Sequence, residues 1–204
     1  AFFALLPKRR AAADRRENAP LRLVFAGAFE QRKGADHLAR ALSMLDDIPW
    51  TLELIGPLDE AMKARHQAFL ADPRVAVVGR VDRRALANQL TAADVFLFPT
   101  LAEGSARVIF EALAAGCYVI TTPNGGSIVE DGVHGALVRP DEPETTVAAL
   151  RRAHGDLDQT RGIGVGNAGL VRERYRQTDY GDALMAVYDR LLACHDQTRE
   201  RKAA

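Results

Sequence analysis

The amino-acid sequence predicts an α/β fold in which a parallel sheet of about six strands carries helices on both faces. From Leu21 onward, short apolar runs alternate with stretches whose apolar residues recur at helical spacing, as they do in successive β-α-β units. One run, 95–98, is nearly continuous in apolar residues, which is typical of a parallel strand buried on both faces. With 204 residues, of which 48% are hydrophobic and 26% charged, the chain is long enough for one globular domain around a single core.

The first half of the chain supplies three of the predicted strands. Residues 21–26 form the first, and the helix after it has an apolar face at i, i+3, i+4 and i+7, made by Leu38, Ala41, Leu42 and Leu45. A second strand at 51–55, a helix from about 59 to 70 and a third strand at 74–78 follow. Each of these strands stops at a glycine, namely Gly27, Gly56 or Gly79.

The second half continues the alternation. Leu86 and Leu90 mark a helix, and the strand at 95–98 then ends at Pro99. The next elements are a helix at 107–115, a strand at 117–121, a Gly125-Gly126 turn and a short strand near 135–138. Three helical segments finish the chain, and the last has an apolar face of Leu184, Val187, Tyr188 and Leu191 before a polar tail at 196–204. We expect a Rossmann-like domain over 21–180, followed by a C-terminal helix and tail over 181–204.

Residues 1–20 predict a connection from an upstream part of the protein. They open with a short apolar run and continue through a charged stretch to Pro20. The apolar run is too short to span a bilayer, and it lacks the basic start and the cleavage site of a signal peptide. A peripheral membrane anchor is the alternative interpretation of this segment.

The charges of the chain balance, since lysine plus arginine and aspartate plus glutamate number 27 each. No overall field therefore favours nucleic acid or an anionic membrane, and a charged ligand must be held by local residues. Cys117 and Cys194 lie far apart and the first begins an apolar run, which favours a buried side chain and a reducing, cytoplasmic location. Richness in alanine and arginine favours a bacterial source.

The loops at the carboxyl ends of the strands form the candidate site, because ligands bind there in open parallel sheets. The first such loop, 27–34, leads into a helix whose free N–H groups and positive dipole end favour an anion, and Arg32 and Lys33 add charge. Neither the dinucleotide fingerprint nor the Walker pattern of glycines is present. Taken alone, Lys33 is typical of a solvated lysine at a helix start.

The loop after 95–98 contains two carboxylates eight residues apart, Glu103 before a helix and Glu111 within it. Gly104 would let a ligand approach the N–H groups at the helix start. In an isolated pair of this kind, the first carboxylate more often only interacts with the positive end of the helix dipole, and the second more often only faces solvent. The surrounding residues therefore decide between a ligand site and a solvated surface.

Those residues make the chain resemble the C-terminal, donor-binding domain of family 4 of the retaining, two-domain GT-B glycosyltransferases, also called glycosyl transferases group 1. The resemblance covers Leu21 to about Tyr188. Its motifs occur in the family's order and spacing: Gly27 through Lys33-Gly34, Pro99-Thr100 through Glu103-Gly104, Glu111-Ala112-Leu113-Ala114 through Gly116, and Thr121 through Gly125-Gly126, Glu130-Asp131-Gly132 and Gly135.

The resemblance implies a role for each matching residue. Lys33 would contact the diphosphate of a nucleotide-sugar donor and offset the charge that grows there as the sugar bond breaks, and Glu111 would accept hydrogen bonds from the ribose hydroxyls. Glu103 would contact the transferred sugar together with the loop that follows it, so Lys33 and Glu103 are the predicted catalytic residues. The complete predicted donor-binding set is Gly27, Arg32, Lys33, Glu103, Gly104, Ser105, Ala106, Arg107 and Glu111. Family members use no metal, and we expect no cofactor beyond the nucleotide diphosphate sugar as substrate.

Two positions depart from the family pattern. Ala28 stands where the family often has an arginine, and Arg32 is our candidate to replace that phosphate contact. Ser105-Ala106 follow Gly104 where a Gly-Phe-Gly is frequent, which changes how the sugar is held. The nucleotide base, whether uracil, guanine or adenine, and the sugar are therefore open.

The resemblance further implies a partner and leaves rival functions. The acceptor half of the enzyme, N-terminal to this domain, would complete the binding cleft, so the isolated domain should bind donor weakly and turn over little substrate. Any contact with a membrane would involve that acceptor half. The rivals are a non-catalytic nucleotide-sugar-binding or regulatory domain, a sugar-nucleotide epimerase and a plain interaction module. A hydrolase is not favoured, because the two glutamates are expected to bind hydroxyl groups rather than to act as an acid and base pair.

Other polar residues receive structural interpretations. Asp156 and Asp158 have the spacing of a metal-binding pair, but they fall between late helices, so a solvated turn is expected. His37 and His134 have no neighbouring ligand cluster in the sequence and are expected to face solvent or to cap a helix.

Overall fold

A six-stranded sheet and eight α-helices make up the computed structural model, which describes residues 2–7 and 19–203 and leaves the side chains of 177 and 193–203 undescribed. The strands are β1 Leu21–Ala26, β2 Trp50–Ile55, β3 Val75–Gly79, β4 Val95–Phe98, β5 Tyr118–Thr121 and β6 Gly135–Leu137. The helices are α1 Ala35–Ser43, α2 Glu60–Arg65, α3 Gln67–Leu70, α4 Arg83–Ala92, α5 Arg107–Ala114, α6 Pro143–Gly155, α7 Leu157–Arg174 and α8 Gln177–Ala203.

All six strands are parallel and lie in the order β3-β2-β1-β4-β5-β6. The chain builds outward from β1 to β3, then returns to the other side of β1 with β4 and builds outward again. The strand order therefore reverses between β1 and β4, where ligands bind in doubly wound sheets. The Rossmann-like sheet with helices on both faces is confirmed.

The core lies on the two central strands and the helices that cover them. Every residue of β4 is buried, as the continuous apolar run predicts, and Phe25 of β1 packs on Phe98 with ring centroids 5.6 Å apart. All four residues of the apolar face predicted for the first helix are fully buried, and the last of them, Leu45, lies just beyond the end of α1. Cys117 is also buried, as expected, and its Sγ lies 3.2 Å from the carbonyl oxygen of Leu90.

The helix predicted from about 59 to 70 is divided into α2 and α3 at His66. The backbone leaves helical geometry there, with φ −114° and ψ 31°, and the His66 ring Nε2 lies 3.1 Å from Oδ1 of Asp36 on α1. The start of α2 agrees with the prediction because the Asp59 side chain accepts a hydrogen bond of 3.1 Å from the Met62 N–H. The residue at which the predicted single helix divides is therefore also one that contacts a residue 30 positions away.

Both ends of the chain differ from the expected simple connections. A 3-10 turn at Phe2–Leu5 packs on α4 and buries Phe2, whereas 8–18 of the predicted linker lie outside the described residues. α8 continues to Ala203 and so includes the residues predicted as a polar tail from 196 onward. The predicted apolar face of α8 is exposed, with 61% of Leu191 accessible. Within the described part of the chain, no helix combines the length and the hydropathy needed to cross a membrane.

The two histidines that were expected either to face solvent or to act as caps are both buried. His37 is 4% exposed, and its ring nitrogens lie 2.9 Å from the Pro140 carbonyl oxygen and 2.8 Å from the Thr146 hydroxyl. Burial lowers the pKa of His37 below its ordinary value. His134 is 8% exposed, and its Nδ1 accepts a hydrogen bond from the Glu130 N–H within a turn, so this ring neither faces solvent nor caps a helix.

Asp156 caps a helix. Its side chain accepts a hydrogen bond of 2.8 Å from the Gln159 N–H at the start of α7. The described residues contain no group of three His, Cys, Asp or Glu side chains placed to hold a metal ion.

Candidate functional site

The loop after β1 and the loop after β4 meet backbone to backbone at the reversal point of the sheet. Gly34 has a left-handed φ of +81°, and a Cβ added there would lie 2.0 Å from the carbonyl oxygen of Pro99. The Leu101 N–H donates a 2.9 Å hydrogen bond to the carbonyl oxygen of Arg32, and the Thr100 hydroxyl donates to the same oxygen over 3.1 Å. Only glycine allows this approach at position 34, which explains the Lys-Gly pair in structural terms.

The loop after β5 closes on the other side of the loop after β4. Gly126 has φ +56°, and a Cβ there would lie 2.4 Å from the carbonyl oxygen of Gly104. The Glu103 N–H donates to the Asn124 carbonyl over 2.9 Å, and the Ala106 N–H donates to the Gly125 carbonyl over 3.3 Å. The motifs that are separated in sequence are therefore neighbours in space, held by backbone contacts.

Three predicted residues form one charged cluster at this junction. The Lys33 ammonium and the Glu103 carboxylate form an ion pair at Oε1, and the Arg32 Nη1 lies 3.1 Å from the same oxygen. Arg32 also pairs with Glu30 over 3.0 Å. The side chains of Lys33 and Glu103 are only 18% and 12% exposed, so their attraction is stronger than that of a surface pair. The structure thus brings Lys33, Arg32 and Glu103 together, as the sequence predicts.

A cavity of about 410 Å³ lies over this cluster, and we call it the junction cavity. It is lined by Arg32, Leu101, Ala102, Glu103, Gly104 and Asn124. A Cβ at Gly104 would meet nothing within 4 Å, so the backbone there faces open space. The Arg32 guanidinium, the Glu103 carboxylate and the backbone at Gly104 accordingly line one concave surface.

Glu111 lies on α5 in a different polar environment. Its side chain is 12% exposed, Arg83 Nη2 lies 3.1 Å from its Oε1, and Arg107 Nε lies 3.9 Å from the same oxygen. Burial raises the pKa of Glu111 above its ordinary value, although both arginines act to lower it. The alternative in which Glu111 only faces solvent does not fit the structure, because this side chain is largely enclosed and paired.

Glu111 lines a second and larger cavity of about 620 Å³, which we call the α5 cavity. Its lining is aromatic and cationic, comprising Phe2, Phe3, Arg83, Ser105, Arg107, Phe110, Glu111, Ala114, Val171, Arg174, Tyr175, Arg176, Asp179 and Tyr180. Ser105 and Arg107, both predicted from the sequence, belong to this second cavity. Gly27 lines neither cavity, and its N–H instead continues the sheet by donating to the Ile55 carbonyl over 2.8 Å.

The start of α5 lies between the two cavities. Its N-cap residue is Ala106, no side chain caps the helix, and no acidic residue occupies the first turn. Helix starts carry N–H groups without helical partners and a partial positive charge, both of which favour an anion. Together with Lys33 and Arg32, this helix start can bind a phosphate group.

Sequence reasoning missed Arg83, Asn124 and Thr100 as functional candidates. Arg83 is the first residue of α4 and follows the loop at the carboxyl end of β3. Because ligands bind beyond the carboxyl ends of parallel strands, its position could have indicated a functional role. Its partner Glu111 lies 28 residues away in the sequence, and no local sequence pattern predicts contacts between residues so far apart. Thr100 is fully buried, and its hydroxyl lies 3.4 Å from Glu103 Oε1 as well as binding the first loop.

The comparisons with known proteins agree with this arrangement. Residues 20–156 match the family model described as "Glycosyl transferases group 1". The chain belongs to this family. A group 1 relative, D-inositol 3-phosphate glycosyltransferase of Xylanimonas cellulosilytica, is 31% identical over 174 residues, which cover 81% of this chain and 41% of the relative. This bacterial relative agrees with the bacterial source that the composition favours.

Solved structures share the fold of this group 1 chain. Sucrose-phosphate synthase from Thermosynechococcus elongatus superposes with a TM-score of 0.80 at 24% identity, over 94% of this chain and 51% of that protein. Anabaena HepE in complex with UDP and glucose gives 0.76 at 19% identity, over 83% of this chain and 48% of that protein, and HepE in complex with UDP-glucose gives 0.75. At these identities the likeness concerns the fold. The group 1 chain spans less than half the length of its relative and about half of these structures, as expected for the C-terminal half of a GT-B fold.

Proposed function

We propose that this chain is the donor-binding domain of a retaining glycosyltransferase that transfers a sugar from a nucleotide diphosphate sugar to an acceptor. The observation that carries the proposal is the cluster of Lys33, Arg32 and Glu103 beside the start of α5, with Glu111 on the same helix. UDP-glucose is the favoured class of donor, because HepE, which shares the fold, has been solved with it.

The donor diphosphate would bind Lys33, Arg32 and the N–H groups at the start of α5. As the bond between the anomeric carbon and the diphosphate breaks, negative charge grows on the leaving oxygen, and Lys33 stabilises it in a partly desolvated setting. Glu103 accepts hydrogen bonds from hydroxyl groups of the sugar and so orients the anomeric carbon. These cations would supply the charge stabilisation, so the proposal includes neither a metal ion nor a cofactor.

Glu111 accepts hydrogen bonds from the ribose hydroxyls in this proposal. Its enclosed position makes such bonds stronger than they would be in water, since competing solvent is largely excluded. The N-terminal acceptor half would supply the rest of the cleft and any membrane contact, and the domain alone would bind donor weakly without turnover. The cytoplasmic location is part of the proposal and is supported by the burial of Cys117.

Calorimetric titration of the 204-residue chain with UDP, GDP, ADP and UDP-glucose tests the proposal. We expect saturable binding with one nucleotide preferred, and a loss of about 10- to 100-fold in Lys33→Ala, because a charge-assisted contact with phosphate contributes about 1.5–3 kcal/mol. Lys63→Ala is the matched control, since Lys63 is an exposed lysine on α2 that pairs only weakly with Glu60.

Two results would contradict this function. Equal affinity in Lys33→Ala and Lys63→Ala would remove Lys33 from the diphosphate site. No binding of any nucleotide at millimolar concentration would favour either a degenerate domain of the same fold, in which Ala28 marks a lost phosphate contact, or a domain that binds donor only together with its acceptor half. Conversion of donor without acceptor would instead support an epimerase.

A further inference from the structure

The Glu111 carboxylate is held from one side only. Arg83 and Arg107 both approach Oε1, over 3.1 Å and 3.9 Å, and within the described residues no hydrogen bond reaches Oε2. The side chain is 12% exposed and lines the α5 cavity. One carboxylate oxygen is therefore fixed by protein and the other is available as an acceptor.

Arg83 reaches this oxygen from a different helix. It is the first residue of α4, and the preceding Asp82 caps that helix by accepting a 2.8 Å hydrogen bond from the Ala85 N–H. Its guanidinium also lies 5.6 Å from the centre of the Phe2 ring. Arg107, the alternative cation, is more distant and 83% exposed, whereas Arg83 is 58% exposed. Arg83 is thus the principal partner of Glu111.

We propose that Arg83 is a positioning residue for the donor: it fixes Glu111 through Oε1, so that Oε2 accepts hydrogen bonds from the ribose. The inference rests on the proposed function and adds a residue from α4, outside the family motif, to the ribose site. Arg83 acts through Glu111 in this scheme and does not itself contact the ribose.

The electrostatic surroundings make this role measurable through pH. The other charged or titratable groups that line the α5 cavity come from three places. Arg107 is on α5, Arg174 ends α7, and Tyr175, Arg176, Asp179 and Tyr180 lie just before α8 or in its first turn. Burial already raises the pKa of Glu111, and Arg83 opposes that rise. Without Arg83 the pKa of Glu111 rises further, and protonation removes an acceptor from the ribose site at a pH where the wild-type protein is still ionised.

The experiment compares Arg83→Met with Arg84→Met by titration with UDP-glucose between about pH 8 and about pH 5. Arg84 is the neighbouring exposed arginine and lines neither cavity. UDP-glucose is chosen because both of its phosphates are esterified, so it lacks the second phosphate ionisation near about pH 6. Arg83→Lys keeps the charge and serves as the conservative variant.

We expect Arg84→Met to match the wild type. Arg83→Met should lose about three- to tenfold in affinity at the upper pH, less than a fully buried pair would give because Arg83 is largely exposed. Its affinity should then decline at a higher pH than that of the wild type, and Arg83→Lys should restore the wild-type pH profile. A UDP-glucose analogue without the ribose 2′ hydroxyl should bind wild type about tenfold more weakly than UDP-glucose, but Arg83→Met by less than about threefold.

The outcomes separate this inference from the function on which it rests. If Glu111→Gln weakens UDP-glucose binding while Arg83→Met keeps both the wild-type pH profile and the preference for the 2′ hydroxyl, the role of Arg83 is overturned and the donor site stands. If Glu111→Gln binds UDP-glucose as the wild type does, the ribose role of Glu111 and the positioning role of Arg83 are both overturned.

Discussion

Replacing Gly34 with alanine should destabilise the protein by about 3–4 kcal/mol. The left-handed φ of +81° costs an L-residue about 1–2 kcal/mol, and a Cβ at 2.0 Å from the Pro99 carbonyl oxygen must force the two loops apart. Separation breaks or lengthens the two hydrogen bonds that the Arg32 carbonyl accepts from Leu101 and Thr100, each with a net contribution of about 1 kcal/mol. The sum is a large fraction of the about 5–15 kcal/mol that stabilises a typical domain.

Gly79→Ala is the matched control for this substitution. Gly79 has a similar φ of +77°, but an added Cβ would meet nothing within 4 Å, so only the backbone strain of about 1–2 kcal/mol applies. Urea unfolding followed by circular dichroism measures both variants, and an unchanged slope with a lower midpoint reports stability alone. We expect Gly34→Ala to be about 2 kcal/mol less stable than Gly79→Ala. Equal losses would refute the close backbone approach as the reason for this glycine.

Three further predictions concern buried polar groups. Burial raises the pKa of Glu53, which makes no ion pair or side-chain hydrogen bond within the described residues. Glu53→Gln should therefore raise Tm at about pH 7 and leave it unchanged at about pH 3, where the wild-type carboxyl is protonated. An equal change of Tm at both pH values would contradict this. Asn167 donates through Nδ2 to the buried carbonyl oxygens of Cys117 and His134 over 2.9 and 2.8 Å. Asn167→Ala should therefore lower the free energy of unfolding, measured in urea, by about 2–4 kcal/mol. A decrease below about 1 kcal/mol would show that the two carbonyl groups find other partners. Because burial lowers the pKa of His37 in the folded state, the unfolded chain binds more protons, and stability should fall as pH drops below the ordinary value of 6.5. His37→Gln should flatten this part of a curve of Tm against pH. A curve as steep in His37→Gln as in the wild type would contradict this assignment.

The central strands could be predicted to the residue because their signals are local. The run at 21–26 ends at Gly27 and the run at 95–98 ends at Pro99, and β1 and β4 have these bounds. The first-loop cations and Glu103 could also be placed at one edge of the sheet, because adjacent parallel strands carry their following loops to the same side.

Features that depend on distant contacts could not be predicted. The break at His66 reflects its contact with Asp36, and the burial of His37 reflects contacts with residues more than 100 positions later in the chain. The pairing of Arg83 with Glu111 likewise joins two helices that are too far apart in the sequence for a local pattern to connect them. Each of these partners is brought close only by the assembled sheet and its covering helices.

The way in which Gly34 and Gly126 hold the three loops has a consequence for altering donor preference. The loops contact one another through main-chain atoms, so their relative placement does not depend on which side chains line the junction cavity. Residues of that lining such as Leu101 and Asn124 can then be randomised in a library without moving the frame that carries Lys33. Selection from such a library would sample new sugar and base preferences at nearly constant stability, whereas variation at the two glycines would change the frame itself.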